Sequence, residues 1–244
     1  MFRILTRPRW IVAHVLVAAI LVTFPQLGLW QLDRLAERRA ANTVNEARYT
    51  AAPEDLDRLV AAAGPDVATL EFRRARVEGV YDPSREVLLR SRVRDGVAGY
   101  GVLTPLVTDD GDAVIVDRGW VPLGAEPPPV DEAPPPEGRV TVVGVVRPSK
   151  VRQGLGPIDG PGELDVVSRV DLDRLAEQLP YELAPVYLEL VGEAEGFPIP
   201  NDPPTFDDDG PHLGYAIQWF SFTLIVAIGY TALLRSQVRP RNPA

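Results

Sequence analysis

Two imidazoles, His14 and His212, are the side chains of this chain best suited to bind a transition metal, and they lie far apart in sequence. Cysteine is absent and the single methionine is Met1. Copper carriers use thiolates, thioethers or several imidazoles, and this composition argues against copper delivery by those ligands. Thiol–disulfide chemistry falls with the missing cysteine. A Ser–His–Asp hydrolase needs a histidine well inside its domain, and here both sit in or beside long apolar segments. His212 therefore has two readings: a neutral imidazole that could ligate a metal, or a polar cap for the helix that follows it. The carboxylates Asp202, Asp207, Asp208 and Asp209 lack the alternation and glycine of a calcium loop, so they read as an acidic linker.

The elements that carry the histidines are two uncharged apolar segments, 10–32 and 213–234, of 23 and 22 residues. At a rise of roughly 1.5 Å per residue each covers about 33–35 Å, enough to cross a bilayer core as a helix. Trp10 and Trp30 bracket the first segment as an interfacial belt would. No small-x-small site ends it, so an uncleaved anchor is expected rather than a signal peptide. Arg3, Arg7 and Arg9 precede the first segment and Arg235, Arg239 and Arg241 follow the second, with no acid in either flank. Short basic flanks stay cytoplasmic, which places both tails (1–9 and 235–244) inside and residues 33–212 outside. Six of the 25 basic residues lie in those flanks, leaving 19 against 34 acids, a formal −15 on the outer domain. A nucleic-acid partner is excluded on that charge.

Between the anchors the pattern is α+β and mainly antiparallel, consistent with a small barrel or sandwich. Residues 31–48 continue the first helix, and short helices are expected over 53–63 and 171–179. Strands are expected over 71–81, 86–93, 100–107, 113–120, 139–147, 165–170 and 186–191. Asp109-Asp110-Gly111 joins two of them as a hairpin turn. The stretch 124–138 holds two proline triplets and reads as a stiff extended loop, and 153–162 is rich in Gly and Pro.

Five strings, in order, resemble the Surf1/Shy1 family of cytochrome c oxidase assembly factors. Gly28-Leu29-Trp30-Gln31-Leu32-Asp33-Arg34 is similar to the family's G-x-W-Q-x-x-R exit from the first span. Val77-Glu78-Gly79-Val80-Tyr81-Asp82 resembles its V-x-G-x-[FY]-D segment. Gly99-Tyr100-Gly101-Val102-Leu103-Thr104-Pro105-Leu106 resembles its G-[YF]-x-V-x-T-P-L block. Asp117-Arg118-Gly119-Trp120-Val121-Pro122 resembles N-R-G-W-[VI]-P, with Asp117 where asparagine is common. His212-Leu213-Gly214-Tyr215-Ala216-Ile217-Gln218-Trp219-Phe220 resembles the H-L-x-Y-A-x-x-W-[FY] entry to the second span, here led in by Asp209-Gly210-Pro211.

The resemblance implies a non-enzymatic assembly factor for an aa3-type oxidase, assisting insertion of haem a into subunit I. It implies His212 as a haem iron ligand, with other respiratory-complex subunits and haem a synthase as further partners. Tyr215, Trp219 and Phe220 then become either a porphyrin wall or a helix-packing seam. Gln31 and Arg34 stand at the membrane level of His212 as polar partners, although Arg34 can equally snorkel to lipid phosphates. Arg118 either meets a haem propionate or satisfies an internal acid. His14 is roughly 27 Å along the helix from Leu32, too far to share one haem with His212. Gly28 and Gly214 are candidates for close helix approach. One lysine among 25 basic residues fits a GC-rich bacterial, actinobacterial-type genome and hence a plasma membrane. A permanent accessory subunit that binds no haem, and a membrane-tethered scaffold or sensor, stay open as alternatives.

Overall fold

The computed structural model describes residues 7–125, 127–152, 154 and 156–238. Arg3, Arg239 and Arg241 of the basic flanks lie outside the described residues. The chain forms two compact units, Met1–Thr43 with Phe206–Ala244, and Val44–Thr205.

The first unit is a pair of helices, α1 (Pro8–Thr50, whose last turns belong to the second unit) and α4 (His212–Val238). Both are long and apolar enough to cross a membrane. They run antiparallel: Gln31 meets His212, Phe24 meets Trp219 and His14 meets Tyr230. The seam depends on one glycine. A Cβ on Gly28 would stand 2.8 Å from the Phe220 ring, so only a bare Cα lets that ring lie against α1. Ala216 is buried in the same seam. Gly214 is exposed, with nothing within reach of a built Cβ, so close approach rests on Gly28 without it.

The second unit is built on β1 (Glu54–Asp55), α2 (Leu56–Ala63), β2 (Arg74–Tyr81), β3 (Val87–Arg94), β4 (Val97–Val107), β5 (Ala113–Pro122), β6 (Arg139–Pro148), β7 (Val166–Val167), α3 (Leu172–Ala176) and β8 (Val186–Glu189). Each expected strand has a counterpart. The circuit β2-β6-β8-β5-β4 closes on itself through Val80 opposite Val107 and Tyr81 opposite Leu106, making a five-stranded barrel. Strands β3 and β7 extend the sheet beyond β4. The sheet is mixed rather than purely antiparallel, because β1–β2, β3–β7 and β5–β8 pair in parallel. Gly79 allows the closure: a Cβ there would come within 2.4 Å of the Val107 carbonyl oxygen.

Side chains from all five circuit strands fill the barrel, among them Ala75, Leu106, Val116, Val146 and Leu188. In β2 the inward set is Ala75, Val77, Gly79 and Tyr81, whereas Val80 faces out. The alternation looks broken in sequence only because Gly79 occupies an inward place without a side chain. At one end Leu56 and Leu59 of α2 close the core. The helix expected over 53–63 begins at Leu56, since Glu54 and Asp55 pair with β2 and Asp55 then caps the helix by accepting from the Arg58 amide. The outer face of β3–β5 is covered by α3, with Ile115, Leu172, Leu175 and Tyr187 packed together.

The proline-rich stretch is more than the stiff extended loop its composition suggests. Val130 and Ala133 are buried against Leu88, Val102 and Val121. It is a packed cover over the sheet.

Candidate functional site

His212 is the first residue of α4 and is half-buried. Its Nδ1–H donates to Gln31 Oε1 on α1 at 2.8 Å. In the neutral ring that assignment leaves the lone pair on Nε2, which has no hydrogen-bond partner among the described residues. A carbonyl-type acceptor on the far nitrogen is how ligating imidazoles are oriented and made more basic. The chain entering α4 is fixed to the same helix. Arg39 donates twice to Asp209 Oδ2, at 2.9 and 2.7 Å, and Asn42 donates to the Asp208 carbonyl at 3.0 Å. The Arg39 guanidinium holds the Asp209 carboxyl below the usual range. Gly210, at a φ of 68°, turns the chain into the helix and lies against the His212 ring. The acidic lead-in is thus a clamp onto α1 that sets where the imidazole sits.

The other residues singled out in the sequence divide between the two units. Gln31 is brought to His212. Arg34 stays exposed, bonded to Glu37 at 2.6 Å and lying over the Trp30 ring. Trp219 packs edge-on against Phe24 with centroids 5.0 Å apart, and Phe220 fills the Gly28 notch. These two rings belong to the helix seam, whereas Tyr215 is exposed. His14 bonds Tyr230, a partner that sequence reasoning missed. Its only signal was a helical position near the far end of the second span.

Arg118 belongs to the barrel unit. It is 5% exposed, on the inward face of β5 with Val114 and Val116. It donates to Glu86 Oε2 at 3.1 Å and to the Ala133 carbonyl at 2.6 Å, and stands 5.7 Å from the Tyr81 ring. Glu86 also accepts from Thr104 at 2.7 Å and from the Val130 amide at 2.9 Å. Arg118 thus satisfies an internal acid, and the same pair pins the proline-rich cover. Asp117 faces the other way and is fully buried, accepting from Arg92 at 3.1 Å and from the Gly119 amide at 3.2 Å. Burial pushes its carboxyl up to about 6 against the pull of Arg92. Gly119, at a φ of 127°, lets Ile199 pair with Trp120: a Cβ there would be 2.1 Å from the Ile199 carbonyl oxygen.

Two long apolar helices, one near each end of the sequence, with a closed five-stranded barrel encoded between them and an imidazole at the start of the second helix, define a class of two-helix barrel proteins. Among the described residues no group of three or more His, Cys, Asp or Glu converges on a metal-sized site. The chain belongs to the SURF1 family, whose family model matches residues 18–224. It is 32% identical over 246 aligned residues to a SURF1-like protein of Mycobacterium tuberculosis, covering 98% of this chain and 88% of that one. It is 30% identical over 156 residues to human Surfeit locus protein 1, covering 57% of this chain and 51% of that one. It is 29% identical over 151 residues to the Saccharomyces cerevisiae cytochrome oxidase assembly protein SHY1, covering 59% and 38%.

Proposed function

We propose that this protein is a membrane-anchored assembly factor for an aa3-type cytochrome c oxidase, which presents haem a to the catalytic subunit through His212. The observation that carries the reading is the Gln31–His212 hydrogen bond, which fixes one ring nitrogen and leaves the other as a donor. The printed name of the yeast relative supports the oxidase as client. The haem is cargo, so the chain's own task is to hold and release it rather than to turn over a substrate. Nε2 of His212 is the iron donor, and the exposed Tyr215 ring offers an apolar wall. The guanidinium of Arg34, free on its solvent side, suits a propionate. Arg118 is left out of this site because Glu86 and Ala133 already occupy it. In this reading α1 and α4 span the plasma membrane, both termini are cytoplasmic and the barrel is extracytoplasmic.

The test is the haem a content, by pyridine hemochrome spectrum, of protein purified from cells that make this haem. Wild type should carry haem a, His212→Ala should carry none, and Gln31→Leu should bind about tenfold more weakly. If wild type carries no haem and a deletion strain still lacks mature oxidase, the protein is a scaffold and His212 is a helix cap.

A further inference from the structure

The barrel mouth at the α2 end opens into a cavity of about 340 Å³ whose walls do not match its rim. Leu56, Val77 and Val114 form an apolar floor, each nearly inaccessible to solvent. The rim carries Asp57 from α2, Asp110 and Asp112 from the β4–β5 turn, and Glu182 from the segment before β8. Among the described residues none of these four carboxylates has an ion-pair partner, although the neighbouring Asp109 is paired with Arg139. Burial, together with the charges of Asp55, Asp110 and Asp112, holds the Asp57 carboxyl above its ordinary range. Backbone bonding does not consume the mouth either. The Ala113 amide donates to the Glu182 carbonyl and the Ala184 amide to the Ala113 carbonyl, main-chain bonds that engage no carboxylate of the rim.

We propose that this mouth receives an arginine or lysine side chain that a partner polypeptide presents between apolar neighbours. The charge pattern selects a cation, and the apolar floor selects one on a hydrocarbon stem. A bare metal ion fits poorly, because no metal-sized group of ligands forms among the described residues. The volume lies in the range of small-ligand pockets and exceeds what one side chain needs, leaving room for an apolar neighbour beside it. Four unpaired acids gathered around one opening repel each other in the free protein, and a cation entering it relieves that repulsion. The inference is independent of haem binding at His212.

The experiment uses the full-length protein in nanodiscs at low salt, titrated with acetyl-Leu-Arg-Leu-amide and with the same peptide carrying citrulline, the uncharged isostere of arginine. The arginine peptide should bind and the citrulline peptide should be about tenfold weaker. The double variant Asp57→Asn/Asp112→Asn should lose about the same factor, with a thermal midpoint no lower than wild type because repulsion has been removed. Ala61→Phe, which fills the mouth without changing charge, should also block binding. Equal binding of both peptides, no binding of either, or full binding to Ala61→Phe would overturn the proposal.

Discussion

Asp117 is where a single side chain works against the fold at neutral pH. Its folded pKa is raised to about 6, while an unfolded aspartate titrates near 3.9. The folded protein therefore holds this proton more tightly, and the associated stability is present below about pH 4 and lost as pH rises through about 6. The difference amounts to about 3 kcal/mol at most. Asp117→Asn keeps an acceptor for Arg92 and for the Gly119 amide but cannot ionise. Thermal unfolding of both proteins across pH 4–7.5 should show wild type losing ground to the variant as pH rises, with the gap closing at the acid end. Sequence alone signalled this site only through its departure from asparagine. What pairs with it there comes from far along the chain: the Leu190 amide donates to the Asp117 carbonyl and the Asn201 amide to the Leu190 carbonyl. The His212–Gln31 pairing was more legible, because each residue stands where an uncharged apolar segment meets the polar chain between the two segments. His14–Tyr230 was not, since nothing local says which residue of the opposite helix stands across.

At the scale of elements, the strands were readable from their alternation and turns, but the cover over the sheet was not. Two proline triplets correctly exclude helix and ladder in 124–138, yet composition cannot show that Glu86, about 40 residues earlier, accepts from the Val130 amide. The Glu86–Arg118 pair is the latch. Removing the charge of one partner leaves a buried, uncompensated guanidinium, a loss of about 3–5 kcal/mol. Glu86→Gln should therefore lower the thermal midpoint and expose the 124–138 segment. Limited proteolysis with a glutamate-specific protease should cut at Glu132 or Glu137 in the variant well before wild type is cut. Unchanged cleavage would mean that apolar contacts of Val130 and Ala133 hold the cover without the latch.

At the scale of the whole molecule, the absence of cysteine provides a direct test of topology, because any introduced thiol is unique. Ile158→Cys lies at an exposed site of the barrel unit, and Gln237→Cys lies at the far end of α4. With intact spheroplasts, a membrane-impermeant maleimide should label the first at once and the second only after permeabilisation. The reverse pattern would place the acidic barrel in the cytoplasm. The closure of the barrel was the least legible feature at this scale, because β8, the last strand in the chain, sits between β5 and β6. That insertion sets the order of biogenesis. Until residues 186–189 have been made, β5 and β6 present open edges to any neighbouring strand. Only some twenty residues later α4 begins, so the barrel's last open edges close just before the second long apolar helix is made.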